Sequence, residues 1–569
     1  MSKINKHLLF FFFLVFIFIF AISVWYSPVL FKGYPSQPVG YGVLLARNYS
    51  QSGSLAMENG LNVFLASSQI KENANITTVG NKLTHLVYGL IYKVLGSLNL
   101  NQLVILSAAI HALALLFFTI LIFYLFGWHI ALIFPFIYIL FPFQWQYATY
   151  ITQYEIALLF FSLFCLFYFW GRNNKFKAVF LILAGIFLAL TVMSREVFMM
   201  FIPVFFIYLI YKKKKFELIT VFIPLVIIVL IFWLPSFFGQ GNVYFYVFKT
   251  DTAHELQAPP FNYYSHLYPD PYTFHFAKQE FDKELNRQIT SSDYDLAHVV
   301  GRIKVAANMG ERKISIGERL LVGSNNFLRH LSRFFAIEVI GGPLIALLLV
   351  LGIYRLKVKN LELAQFFVFW IITVLLLFSY AGLVIRNHLI DFSWVLAALV
   401  ALGLGAIFYV LKDYFELKKM LWPAYVFVIL ATCYNLVVSS HVFWGRDYDN
   451  KNNLIAMDLA EKIKQIEISD EQVIATSHKG GYVIYNYIAD KSVIYFAPQT
   501  IDKLIAENKL EEAFEKFGVE YIVGFDDEQS KKITENTSVI NIASKPKPED
   551  VEPPVTTYTN KMWFLNLVR

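Results

Sequence analysis

A helix needs roughly 20 apolar residues to cross the hydrocarbon core of a bilayer. This chain offers about eleven runs near that length, at 8–27, 101–126, 128–143, 154–170, 177–194, 197–211, 217–236, 335–354, 362–384, 389–411 and 420–440. The chain has 569 residues, 57% hydrophobic and 18% aromatic. Its mean hydropathy is +0.53. A soluble domain of that size cannot hide so much apolar surface. The expected fold class is therefore a multi-pass α-helical membrane protein. The first run, Leu8 to Tyr26, follows Lys3 and Lys6. It is long for a signal-peptide core and ends at no small-x-small cleavage site, so it reads as an uncleaved first span.

Charge orients the runs. The net charge is +7, but the excess collects in short loops between apolar runs, which excludes a nucleic-acid-binding reading. Lys3 and Lys6 precede the first run, and Arg172, Lys175 and Lys177 join the fourth and fifth. Lys212 to Lys215 join the sixth and seventh, and Arg355, Lys357 and Lys359 the eighth and ninth. Lys412, Lys418 and Lys419 join the tenth and eleventh. All these clusters fall on one side, which cytoplasmic loops favour. The N-terminus is then cytoplasmic in a multi-pass cell membrane protein. Residues 1–440 form the membrane domain, with outer loops at 28–100 and 237–334, and 441–569 form an extracytoplasmic domain. Within the first loop, Leu83 to Leu95 carries an apolar stripe at helical spacing and is too short to span, as for a helix lying on the outer leaflet.

The tail becomes rich in Asp, Glu and Lys after about Arg446. Helical patterns at 454–466, 481–488 and 501–517 alternate with strand-like 473–476, 492–496 and 521–525. That alternation predicts a small α/β domain with a mainly parallel sheet. Lys479-Gly480-Gly481 alone is too weak to be a phosphate loop. Cys165 and Cys433 both sit inside apolar runs and read as neither disulfide, metal ligand nor nucleophile.

Ionisable groups at membrane depth are costly and are usually placed for a reason. Glu155 opens the fourth span, Arg195 and Glu196 sit between the fifth and sixth, and Arg386, His388 and Asp391 between the ninth and tenth. Arg47 lies in the first loop. All fall at the outer face. Each has a bland alternative: a helix cap for Glu155, an ion pair for Arg195 and Glu196, a headgroup anchor for Arg386, and a structural role for His388. No His/Asp/Glu cluster has metal-ligand spacing. No cofactor is implied, and the part of a divalent cation stays open.

These positions, with the loop Gly33 to Gly53, carry a family resemblance. The chain resembles the GT-C glycosyltransferases, the class that includes protein O-mannosyltransferases and the bacterial transferase that puts aminoarabinose on lipid A. In the loop, Tyr41, Ala46-Arg47 and Ser52-Gly53 fit that class. Glu155 fits its second acidic residue and Arg195 its basic residue after the fifth span. Arg386-Asn387-His388-Leu389-Ile390 matches its Arg-aromatic-Leu-Leu-Pro motif without the aromatic and the proline. Gln37 stands where the class carries a catalytic aspartate, and the chain has no Asp before Asp251. The resemblance covers about residues 1–440.

It implies transfer of a sugar from a polyprenyl-phosphate donor to a protein, lipid or polysaccharide acceptor outside the membrane. Glu155 and Glu58 are the implied catalytic acidic residues, Glu58 replacing the base that Gln37 cannot be. Arg47, Arg195, Glu196, Arg386 and His388 are the implied contacts to the lipid phosphate or donor. A second reading is a catalytically silent lipid-binding or assembly protein. A third, a transporter or flippase, lacks inverted repeats and paired broken helices.

Overall fold

The computed structural model describes residues 6–25, 46–51, 82–141, 153–239, 343–368, 393–415, 429–434 and most of 451–546, with short breaks inside these stretches. Gln37, Glu58, Glu196, Arg386 and His388 lie outside the described residues, as does the long loop at 241–326.

The helices of the membrane region follow the apolar runs. They are α1 (Lys6–Trp25), α2 (Lys82–Leu95), α3 (Leu100–Phe126), α4 (Trp128–Leu140) and α5 (Gln153–Gly171). Then come α6 (Lys177–Ser194), α7 (Phe201–Tyr211), α8 (Lys215–Gly239), α9 (Pro343–Lys359) and α10 (Ser393–Phe415). Among the described residues, stretches in α3, α5 and α6 are long and apolar enough to cross a membrane by themselves. Between α3 and α4 only Gly127 intervenes, at φ 85. That left-handed backbone suits glycine and lets the chain reverse in one residue. Helix α9 runs on past the apolar run that predicted it and carries Lys357 and Lys359 in its last turn. The sequence pattern had assigned those lysines to a loop. Their long apolar stems let a lysine stay helical while its charge reaches the interface.

Helix α3 packs against α1, α4 and α5; α5 packs on α6, and α6 on α8; α10 bridges α4 to α9. Lipid tails are as apolar as leucine, so helices in a membrane associate through close packing rather than water exclusion. Small residues supply it here. A Cβ on Gly352 of α9 would strike the backbone of Leu399, and one on Gly403 of α10 would strike the backbone of Leu348. The two glycines make the α9–α10 contact from both sides. Aromatic rings fill the α5–α7 contact: Phe161 lies 5.3 Å from Phe201 and Phe164 5.4 Å from Phe205, both edge-on. Trp394 of α10, fully buried, stacks 4.8 Å from Phe118 of α3.

One end of the bundle is tied by charge. Arg172, just past α5, reaches Glu217 of α8 at 3.5 Å and Glu362 at 2.7 Å. Glu217, 2% exposed, also takes Lys177 at 3.4 Å and the Tyr168 hydroxyl at 2.9 Å. Lys214 and the Tyr208 hydroxyl approach Glu362. Three helix connections thus meet at this end, and two of the basic clusters that oriented the chain take part.

The tail carries α11 (Lys451–Lys464), β1 (Val473–Thr476), β2 (Ser492–Tyr495), α12 (Pro498–Ala506), α13 (Leu510–Phe517), β3 (Val519–Val523), α14 (Asp527–Asn536) and β4 (Ile540–Ala543). The sheet is parallel throughout, in the order β2-β1-β3-β4. Its strands alternate: Val473, Ala475 and Ile522 join one core with α12, α13 and Ile533 of α14. Ile474, Val493 and Val523 face the other way with Leu459 of α11 and Tyr485. The predicted helix 501–517 is two helices. Asn508, at φ 54, closes α12 in a left-handed turn before α13 starts.

Candidate functional site

The end of α5 opposite the ionic cluster carries Glu155, in the first turn of the helix. From there to Arg172 is 17 residues, roughly 26 Å of helix rise. The first turn is where a carboxylate gains from unpaired backbone N–H groups. Glu155 is 1% exposed. Its neighbour Tyr154 lies under the guanidinium of Arg195, whose central carbon sits 3.9 Å from the ring centroid. Arg195 is itself 1% exposed. It sits just past α6, with its backbone N–H bonded to the Thr191 carbonyl at 2.9 Å. A planar guanidinium stacks on an aromatic face and keeps its edge donors available, which an ammonium cannot do.

Helix α2 seats against this pair. The Thr84 hydroxyl donates to the Ser194 carbonyl at 3.2 Å, next to Arg195. The Tyr88 phenol lies against Ser107 of α3 and within the field of the Glu155 carboxylate. One residue on, Gly89 allows the first-loop stretch at 46–51 to lie close: a Cβ there would come 3.0 Å from the Ala46 carbonyl and 2.6 Å from the Tyr49 ring. That stretch carries Arg47, 6% exposed, whose carbonyl accepts from the Ser50 hydroxyl at 2.6 Å. Arg47, Glu155 and Arg195, named from sequence alone, thus lie buried around one short helix. Each makes further polar or electrostatic contacts.

The stripe on α2 reads differently in three dimensions. Its inward face is Thr84, His85, Tyr88 and Tyr92, all buried, while Leu90, Val94 and Leu95 are exposed. In a helix resting on lipid, the aliphatic residues face outward and the hydrogen-bonding ones face the protein. Sequence reasoning missed Tyr88, Thr84 and Tyr154. For the two on α2 the available signal was spacing, since Thr84, Tyr88 and Tyr92 recur every four residues along one helical face. Among the described residues, no group of three His, Cys, Asp or Glu side chains is placed to hold a metal ion.

No protein-family model matches the chain, and no curated protein matches its sequence. Its fold matches solved membrane proteins. The apo oligosaccharyltransferase of Archaeoglobus fulgidus superposes with a TM-score of 0.51 at 14% identity, covering 92% of this chain and 70% of that one. The same enzyme in complex with Zn and sulfate superposes with a TM-score of 0.51 at 12% identity, over 89% of this chain and 67% of that one. ArnT from Cupriavidus metallidurans, in the apo state, gives a TM-score of 0.40 at 12% identity, over 97% and 90%. At such identity a likeness speaks for architecture alone, and the architecture is that of the oligosaccharyltransferase: the chain has a GT-C fold.

Proposed function

We propose that the chain is a membrane glycosyltransferase that moves a sugar from a polyprenyl-phosphate carrier to an acceptor on the outer face of the cytoplasmic membrane. The observation that carries this reading is the buried set of Glu155, Arg195 over Tyr154, and Arg47 around α2, in a fold shared with an oligosaccharyltransferase.

The chemistry asks for these groups. A phosphate leaving group stabilises its own negative charge, so the enzyme must activate the acceptor and steady the phosphate. In the proposed step the acceptor oxygen or nitrogen bonds to the sugar C1 and the bond from C1 to the phosphate oxygen breaks. The acceptor proton passes to a carboxylate, and the carrier phosphate leaves with the electron pair. Attack from the face opposite the phosphate inverts C1. Glu155 is the proposed base, with Glu58 the alternative from the first loop. Arg47, Arg195 and Arg386 are the proposed phosphate contacts, assisted by Glu196 and His388. Arg gives planar, bidentate recognition of phosphate oxygens.

Gln37 favours a second reading, because an amide at the place of the class's aspartate accepts no proton: a silent member that keeps the lipid cavity. Purified protein incubated with radiolabelled polyprenyl-phosphate sugars and membrane acceptors separates the two. Glu155→Gln is expected to lower turnover by about 10²–10⁴-fold with carrier binding retained. Turnover that survives both Glu155→Gln and Glu58→Gln removes the assignments. Carrier binding without turnover of any donor selects the silent reading.

A further inference from the structure

The parallel sheet of the tail changes winding direction between β1 and β3. After β1 the chain crosses on the face of Tyr485 and α11 and reaches β2 at one edge. After β3 it crosses by α14 on the opposite face and reaches β4 at the other edge. Adjacent strands whose connections leave in opposite directions part at their carboxyl ends. That crevice is where open α/β sheets bind ligands.

We propose that the carboxyl edge of β1 and β3 is a binding site for a small oxyanion, a phosphate or carboxylate group, held by His478 and Lys545 and shaped by Tyr485 and Gly524. His478 stands two residues past β1. Its Nδ1 lies 2.6 Å from the Tyr485 hydroxyl, and its backbone N–H is anchored on Thr476 Oγ1 at 3.1 Å. The residue is held at its ring Nδ1 and at its backbone N–H and keeps 7% exposure. If the Tyr485 hydroxyl donates to Nδ1, the single proton of a neutral imidazole sits on Nε2, which can donate it to an anion. Lys545, just past β4, supplies the charge. Its backbone N–H bonds to the Phe525 carbonyl at 2.7 Å, and its ammonium disfavours a second positive charge on His478. An anion satisfies both groups where a cation would not.

Gly524 lets the strand ends close on this pair. It sits at φ 72, and a Cβ there would come 3.1 Å from Thr476 Oγ1 and 3.3 Å from the Tyr485 hydroxyl. The Ser477 hydroxyl holds the turn by donating to the Gly524 carbonyl at 3.1 Å. The charge of Asp458 on α11 acts on Tyr485, and Asp458 is ion-paired with Lys462 at 2.8 Å.

Isothermal titration of the full-length protein in nanodiscs with inorganic phosphate, methyl phosphate and acetate tests the site. Saturable binding of phosphate is expected, weakened at least about tenfold in both His478→Gln and Lys545→Met. Tyr485→Phe is expected to weaken binding and to move the His478 imidazole resonances, marking a positioning role. No saturable binding, or wild-type binding in both His478→Gln and Lys545→Met, overturns the proposal. If His478→Gln fails to fold, Lys545→Met decides alone. A second titration in nanodiscs containing phosphatidic acid identifies the source. Loss of the phosphate response there assigns the site to lipid headgroups, and an unchanged response assigns it to soluble ligands.

Discussion

Arg195 is a buried cation stacked on an aromatic ring, and such a group persists in a membrane protein only with partners that offset its desolvation. Lysine keeps the charge but loses the planar stacking over Tyr154 and the paired donors. Arg195→Lys is therefore expected to weaken carrier-phosphate binding by about tenfold, close to 1.4 kcal/mol, with the fold intact. Unchanged affinity in a lipid-binding titration removes Arg195 from the phosphate site. A second residue prediction concerns acid. Burial first, and Lys545 second, push His478 down from 6.5 to about 4. The unfolded chain thus takes up this proton before the folded one does. The native tail keeps its stability above pH 6.5 and loses up to roughly 3 kcal/mol as pH falls from 6.5 towards 4. His478→Gln is expected to flatten that loss in unfolding midpoints measured at pH 7 and 4.5; equal slopes contradict it. Of these residues, Glu155 and Arg195 were legible in the sequence because charges are scarce at the ends of apolar runs. Tyr88 was hidden among 34 tyrosines, and its place beside Glu155 comes from the packing of α2.

The ionic cluster at the far end of α5 shows how burial sets the weight of a charge. Glu217 has a side chain 3% exposed and faces Arg172 and Lys177, while Glu362 has a side chain 38% exposed. Removing the buried Glu217 takes away the charged acceptor shared by Arg172, Lys177 and the Tyr168 hydroxyl, which costs about 1.5–3 kcal/mol. Removing Glu362 at the solvent edge costs about 1 kcal/mol or less. Thermal unfolding in detergent is expected to rank Glu217→Ala well below Glu362→Ala; the reverse order contradicts the cluster as described. Elements written as unbroken apolar runs were visible beforehand, as the helix α5 and the Val473-Ile474-Ala475 of β1 were. The strand β4 and helix α14 were not. The apolar run of Ile540–Ala543 is broken by Asn541, and α14 is polar nearly throughout. The split between α12 and α13 rests on the left-handed Asn508, which a continuous apolar stripe conceals.

Across the whole molecule, two chemically different ends follow from one helix pair. The α5–α6 hairpin carries Glu155 and Arg195 at its open end and Arg172 and Lys177 at its turn. Lysine and arginine are retained on the cytoplasmic side of membranes. On the proposed reading the turn, with exposed Lys175, belongs inside and the carboxylate end outside, the side on which the proposed transfer takes place. Fixing one end fixes the other, because α5 is long and apolar enough to cross once. Single cysteines read this directly. In a background with Cys433 replaced by serine, Cys165 is buried and silent. Lys175→Cys is expected to react with an impermeant maleimide only after cells are opened. Lys531→Cys, whose lysine side chain is 78% exposed on α14, is expected to react in intact cells once any outer barrier is removed. Labelling of Lys175→Cys in sealed cells would invert the orientation. The cluster around α2 would then face the cytoplasm, and a donor used outside could not reach it.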